Sequence, residues 1–396
     1  MKTIFKSFKF RIYPTKEQEI LLSKHFGACR FVFNHYLNKR KESYIEDKKT
    51  LNYYDNANDL TQLKKDENFI WLKEINSQSL QSALRNLDVS YMKFFRKQTK
   101  FPQFKSKYDR QSFKTPQSVT IKNNILYIPK FNEGIKICLY KEINDKILFA
   151  TISKSTTGKY YVSITCEVQH EQFEKTGSKI GIDTGIKDLA ILSDGKIYEN
   201  IKTLKNNIKK LKHKQRQLSK KVKNSSSRNK QRKKLAIIYE KITNIRKDYL
   251  HKISTEIVKN HDIICVEDLS VKNMMKNHSL AQSFSDVSLG EFYRQLEYKC
   301  EWNDKHFIKI DRYFPSSKMC SNCGWIYQDL NLNIREWICP SCGENHDRDF
   351  NASKNILKQG LKILSGSGIE SDIKQKQVEA LSVDESMKPE TTKSLV

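Results

Sequence analysis

The sequence has no apolar run approaching the roughly 18 residues that a membrane-spanning helix needs, so no spanning segment is expected. Met1 to Lys9 contains no apolar stretch ending in a cleavage-type site, which argues against a secretory signal and for a cytoplasmic protein. A strongly amphipathic basic terminal helix is also missing, which disfavours an anionic membrane surface as partner. Internal repeats are absent too. Acidic charge is scarce: 45 Asp and Glu stand against 72 Lys and Arg, a formal net charge of +27. So large an excess repels itself unless a polyanion neutralises it, and Lys and Arg gain affinity by displacing phosphate counterions. Nucleic acid is the partner this composition favours.

The 396 residues allow two to four domains. Lys2 to Tyr13 alternates through Ile4, Phe8, Phe10 and Ile12, which predicts a strand stopped by Pro14. A helical pattern follows to about Arg96, marked by Leu21, Leu22 and Phe26, then by Leu80, Leu84 and Leu87. Short β segments occupy Phe104 to Val168, including Val119–Ile121, Ile125–Ile128, Ile147–Ile152 and Tyr160–Cys166. A strand, a helical block and a β block describe a small β domain with a helical insertion.

The second half opens with a strand at Lys179–Ile182 and a hairpin at Asp194-Gly195. Acidic residues are then absent from Ile201 to Tyr239. Ile201, Leu204, Ile208, Leu211, Leu218 and Val222 keep a helical spacing, broken only where Gln215 falls. Lys209, Lys210, Lys212 and Lys214 lie between them, and a second helix is expected from Arg228 to Val258 after an Asn224–Ser227 loop. A solvated face would mix charge signs, so this hairpin reads as phosphate-facing. Ile263 to Val266 is a continuous apolar run, as in a strand buried on both faces. From Ser365 the periodicity is lost, and a disordered tail (365–396) is expected.

Five of the nine cysteines, Cys29, Cys138, Cys166, Cys265 and Cys300, are scattered among apolar neighbours and read as reduced core residues. The other four form Cys320-Ser-Asn-Cys323 and Cys339-Pro-Ser-Cys342. Two such pairs can complete the tetrahedral thiolate shell of structural Zn²⁺. Gly324 and Gly343 follow each pair, where a tight knuckle favours positive φ. A redox role lacks the βαβ context it would need.

Three acids complete the chemistry. Asp183 ends a strand between Gly181 and Gly185, Glu267 ends the apolar run, and Asp349 opens a C-terminal helix. Carboxylates suit Mg²⁺, and two such ions about 3.5–4 Å apart can support phosphodiester hydrolysis. Taken singly, an acid in such a place is more often an ordinary loop carboxylate or helix N-cap. Strand, strand and helix in this order make the pattern of an RNase H-like nuclease core. Asp347 competes with Asp349 for the third place. Ala352, Ile356 and Ile363 share a helix face with Asp349, whereas Asp347 falls roughly 200° away or acts as an N-cap.

Gly181-Ile182-Asp183-Thr184-Gly185, Val266-Glu267-Asp268-Leu269, Phe314-Pro315-Ser316-Ser317-Lys318 and Asp347-Arg348-Asp349-Phe350-Asn351-Ala352 resemble the TnpB family. Arg11 to Thr15 and Arg30 to Asn34 resemble it as well, so the likeness covers roughly Lys2 to Leu364. TnpB proteins are transposon-encoded RNA-guided DNA endonucleases related to type V CRISPR effectors. The resemblance implies a multidomain α+β protein. Its N-terminal β-barrel wedge domain (1–14 and 104–175) would carry a helical recognition insertion (15–103). An RNase H-like (RuvC) α/β nuclease core (176–313 and 346–364) would carry an inserted zinc ribbon (314–345).

It further implies Asp183, Glu267 and Asp349 as catalytic Mg²⁺ ligands and Cys320, Cys323, Cys339 and Cys342 as zinc ligands. Guide RNA (ωRNA) and a double-stranded DNA target beside a short adjacent motif would be the partners. Tyr53 and Gln81 fall where motif contacts arise in relatives; a packing aromatic and an exposed helix polar residue describe them equally well. Two other functions fit parts of the pattern. A catalytically silent RNA-guided repressor would lack one of the acids, and an RNA-independent transposase would carry no defined RNA.

Overall fold

The computed structural model describes residues 1–277, 280–331 and 334–366. They divide into two compact units: Met1–Glu171 with Lys214–Glu240, and Gln172–His213 with the chain from Lys241 onward. Lys214–Glu240 lie within 176–313 by the boundaries above, yet cluster with the first unit.

In the first unit, β1 (Lys2–Tyr13) buries Ile4, Phe8, Phe10 and Ile12 on one face, as its alternation dictates. Past Pro14, Thr15 caps α1 (Lys16–Asp47): its hydroxyl accepts from the Gln18 N–H, and the Gln18 side chain accepts from the Thr15 N–H. Next come α2 (Tyr53–Leu63), a 3-10 segment (Glu67–Glu74) and α3 (Ser77–Phe95). The strands are β2 (Gln111–Thr115), β3 (Thr120–Lys122), β4 (Ile125–Ile128), β5 (Phe131–Cys138), β6 (Lys146–Lys154) and β7 (Tyr160–His170). They join β1 in one antiparallel sheet of order β2-β6-β7-β1-β5-β4-β3. Its spine is β1 against β7, in register from Lys2↔His170 to Ile12↔Tyr160. The helical insertion expected between the first strand and the β block is thus present in the chain order, between β1 and β2. The end strands of the sheet, β2 and β3, have five and three residues.

The second unit is built on a five-stranded sheet of order β10-β9-β8-β11-β12. Its strands are β8 (Lys179–Asp183), β9 (Asp188–Leu192), β10 (Ile197–Glu199), β11 (Ile263–Glu267) and β12 (His306–Ile310). β8, β11 and β12 run parallel, whereas β9 and β10 are antiparallel. The basic hairpin consists of α4 (Thr203–Ser219) and α5 (Ser226–Asn260). Three further helices follow: α6 (Val271–Met274), α7 (Ala281–Val287) and α8 (Leu289–Trp302). A small ribbon, β13 (Glu336–Ile338) with β14 (Asn345–Asp347), leads into α9 (Arg348–Gly366).

The central strands are covered on both faces, which explains their unbroken apolar sequence. Ile180, Ile182, Ile264 and Val266 pack with Leu250, Ile253, Phe292 and Leu296 on one side. Cys265, Ile308, Ile310 and Ile356 form the other core, with Ile363 packed against it. Here α9 lies against the sheet at two glycines. A Cβ on Gly181 would stand 2.1 Å from the Ser353 carbonyl oxygen, and one on Gly360 2.2 Å from Cys265 Sγ. Any side chain at Gly181 would push α9, and Asp349 with it, off the sheet.

Some expectations need correction. Cys138, at the end of β5, is exposed rather than a core residue. Val222 lies beyond the end of α4 and is 76% exposed, so the apolar spacing stops at Leu218. Ser365 and Gly366 belong to α9, and the rest of the expected tail lies outside the described residues.

Candidate functional site

Asp183 and Glu267 end adjacent parallel strands, β8 and β11, and Asp349 stands in the first turn of α9. All three line one cleft of about 380 Å³, with Lys187, Lys318, Arg335 and Arg348 also on its wall. Burial pushes the Asp183 carboxyl up to about 8, with the charges of Glu267 and Asp349 adding to the effect. Burial also raises Glu267, against which a hydrogen bond from the Ser316 hydroxyl acts. Asp349 is held by two guanidinium groups, with Arg335 at 2.6 Å and Arg348 at 2.9 Å. In this cleft negative charge is costly on Asp183 and Glu267, while Asp349 is neutralised by its two guanidinium partners.

Asp347 plays the part expected of a cap. Its Oδ1 accepts from the N–H groups of Asp349 (3.1 Å) and Phe350 (2.8 Å), the first donors of α9. Ala352 and Ile356, one and two turns beyond Asp349, are buried, which fixes the helix phase.

The four clustered cysteines bring their sulfurs within 4.8 Å of one another. Cys320 and Cys342 are 3.7 Å apart, and Cys323 and Cys339 3.6 Å. Zinc–sulfur bonds of about 2.3 Å at tetrahedral angles place sulfurs roughly 3.8 Å apart, so the cage fits zinc. Gly324 (φ 82°) and Gly343 (φ 74°) take the positive φ the knuckles need. Four thiolates leave no open ligand position, so zinc here would be structural. Among the described residues this is the sole cluster of three or more such ligands gathered so tightly. The three acids are not.

Two family models match within residues 163–356 of the chain. Residues 163–278 match the family described as "Probable transposase" (OrfB of IS605), and 290–356 match "Cas12f1-like, TNB domain". A Streptomyces pristinaespiralis protein assigned by name as an RNA-guided DNA endonuclease is 37% identical over 374 residues, 93% of each chain. The chain belongs to the TnpB family. An Escherichia coli relative assigned in the same way, InsQ, is 34% identical over 91% of this chain and 93% of its own. Among solved structures, a Cas12f1–sgRNA–target DNA complex is similar in fold, with a TM-score of 0.55 and 14% identity. That likeness covers 89% of this chain and 98% of the Cas12f1 chain. Residues 1–49 match a family described as "Helix-turn-helix domain", but in this TnpB member they form strand β1 and the long helix α1.

The residues expected at nucleic-acid contacts are not among those lining the cleft of the three acids. Tyr53, the first residue of α2, is half-buried with the Arg85 guanidinium 5.1 Å from its ring centre. Gln81 is exposed on α3, one turn before Arg85. Lys209, Lys210 and Lys212 are exposed on α4. Lys214 departs from them: it is half-buried and its Nζ donates to Gln217 Oε1 at 3.1 Å. Its position, three residues after buried Leu211 and four before buried Leu218, puts it on the packed face of the helix.

Several site residues escaped the sequence reading. His346 Nε2 lies 3.0 Å from Cys320 Sγ, and its ring packs on Trp337 at 4.7 Å. Arg335 comes from the ribbon, where nothing in the spacing sets it apart. Ser316 and Arg348 were within the family-like segments, but without a role. No described helix is long and apolar enough to cross a membrane.

Proposed function

We propose that this chain is a guide-RNA-dependent DNA endonuclease whose RuvC-type site hydrolyses target DNA with Asp183, Glu267 and Asp349 holding Mg²⁺. The observation that carries the reading is the convergence of the three acids in one cleft, where burial first and the charges of Glu267 and Asp349 second raise the proton affinity of Asp183. The order β10-β9-β8-β11-β12, with acids ending the two central parallel strands, supports an RNase H-like core. The carboxylate oxygens are the hard donors that Mg²⁺ takes. When bound, Mg²⁺ would activate water and stabilise the leaving oxygen.

The chain's own residues do the remainder. Asp183 and Glu267 reach the cleft from strand ends fixed by the sheet, and Asp349 from a helix start fixed by its cap. Lys187, Lys318, Arg335 and Arg348 give a phosphodiester a cationic wall. Guide pairing would select the target strand while protein contacts read heteroduplex shape. In this reading the first sheet and its helical insertion form the wedge and recognition parts, Tyr53 and Gln81 read the adjacent motif, and Lys209, Lys210, Lys212 and Lys214 meet phosphates. The tetrathiolate cage holds structural zinc, and the enzyme works on DNA in the cytoplasm.

The test is to purify the chain, sequence any RNA bound to it, and assay plasmids bearing the matching target with and without Mg²⁺. Cleavage that needs both RNA and Mg²⁺, and that disappears in Asp183→Ala, is the expected result. RNA-independent cutting or joining would move the assignment to a transposase.

A further inference from the structure

Ser316 lies on the turn that leads into the zinc cage, four residues before Cys320, and is 5% exposed. Its hydroxyl donates to Glu267 Oε1. Its carbonyl accepts from Asn355 Nδ2 of α9 at 2.8 Å. One turn earlier on the same helix, Asn351 Nδ2 donates to the Met319 carbonyl at 2.7 Å, and Asn351 Oδ1 accepts from the Ser321 N–H at 2.8 Å. Asn351 and Asn355 are 1% and 2% exposed. A buried polar network of this kind is maintained only when its members are paired, and it fixes one geometry in return. The asparagines account for docking the turn on α9. The Ser316 hydroxyl does something else, since its proton goes to the acid at the end of β11.

Glu267 reaches the cleft through three rotatable bonds, so the sheet alone leaves its carboxylate free to turn. A donor on Oε1 fixes the rotamer and leaves Oε2 for a cation. Partners that orient metal-binding carboxylates in this way typically contribute about 10–100-fold to metal affinity.

We propose that Ser316 is a positioning residue for Glu267, so that the turn at the root of the zinc cage sets the geometry of the β11 carboxylate relative to α9 and Asp349. The inference rests on the reading of Glu267 as a metal ligand.

The test uses the full chain with its guide RNA and compares wild type, Ser316→Ala, Ser316→Cys and Glu267→Gln. Mn²⁺ binding is measured without DNA from the loss of the free-ion paramagnetic resonance signal, and Mg²⁺ dependence is measured in cleavage. Ser316→Ala should weaken Mn²⁺ binding and raise the half-saturating Mg²⁺ concentration by about 10–100-fold, with the rate recovering at high Mg²⁺. Its zinc content should equal that of wild type. Ser316→Cys, close in volume but a weak donor, should shift in the same direction and covers the case in which the alanine variant fails to fold. Wild-type Mn²⁺ affinity in Ser316→Cys or Ser316→Ala, alongside lost affinity in Glu267→Gln, overturns the positioning role and leaves the metal site standing. Wild-type affinity in Glu267→Gln overturns the metal-site reading itself.

Discussion

The second unit holds two ligand clusters that differ in nearly every physical respect. The four sulfurs of Cys320, Cys323, Cys339 and Cys342 already lie at the spacing a tetrahedral ion imposes. The three carboxylates share a cleft without gathering to that degree, and Asp349 is paired with Arg335 and Arg348. Soft thiolates in a closed shell make a site whose product is structure. Hard carboxylates on an open wall, with guanidinium partners in place of a closed shell, suit a site that, in the proposed reading, would exchange partners. The first can be built by local turns, the second only by elements distant in sequence. Losing a ligand should therefore unfold something in the first cluster and silence something in the second.

The largest expected effect tests that contrast. Asp349→Ala should reduce cleavage below detection while guide and target binding persist, checked by cleavage and mobility-shift assays on the same preparation. It removes one of the charges that raise Asp183, but it also strands Arg335 and Arg348, so the simple relief of repulsion expected from the sequence is not the whole effect. Residual cutting in this variant alongside loss of cutting in Asp347→Ala would reverse their roles. Cys339→Ser should instead lose the roughly one zinc per chain and with it solubility or melting temperature, measured by elemental analysis and thermal unfolding. If zinc stayed bound while only activity fell, the cage would belong with the acids and the contrast would collapse.

How legible each cluster was follows from how local it is. The cage could be read from spacing, because C-x2-C pairs dictate their own geometry and Gly324 and Gly343 mark the turns. The acids could be placed on strand ends and a helix start by hydrophobic periodicity, and Asp349 could be separated from Asp347 by helix phase. Their partners could not. Arg335 meets Asp349 across fourteen residues and Ser316 meets Glu267 across forty-nine, so no local pattern announces either contact. The same limit applies to Lys214, which shares its helix face with Leu211 and Leu218, is half-buried and donates to Gln217, a contact its charge did not announce. In the first unit the alternation of β1 gave its buried face directly. The edge strand β3 was also read, as Val119–Ile121, whereas the other edge, β2 (Gln111–Thr115), was not singled out.

A smaller effect sharpens the electrostatic half of the comparison. Asp183 titrates near 3.8 when unperturbed and is pushed up to about 8 in the fold. Between those values the native state holds a proton that the unfolded chain has released. Stability linked to this group is therefore whole below about pH 4 and is lost as pH rises through about 8. Asp183→Asn, which stays neutral, should raise the metal-free melting temperature above wild type at pH 8, by roughly 2–4 °C for each kcal/mol relieved, and by nothing near pH 4. Adding Mg²⁺ should stabilise wild type more than the variant. Equal melting temperatures across the whole pH range would mean that neither burial nor the neighbouring acids penalises the charge of Asp183.

The smallest effect concerns Asp347, which lies between the two clusters in sequence and belongs to neither. It ends β14 and caps α9, accepting from the N–H groups of Asp349 and Phe350 through a single oxygen. Loss of such a cap costs about 0.5–2 kcal/mol, because the first amides of the helix then have only water as partner. Asp347→Ala should lower stability by that amount in denaturant titration and retain measurable cleavage and full zinc content. Asp347→Asn keeps an accepting oxygen and should recover most of the loss. The comparison turns on whether the helix start merely carries Asp349 or must be held rigid for it to work. If Asp347→Ala loses cleavage more than stability and Asp347→Asn restores both, the cap is setting the position of Asp349. If cleavage survives in both, the close packing of α9 at Gly181 and Gly360 is sufficient to hold the acid in place.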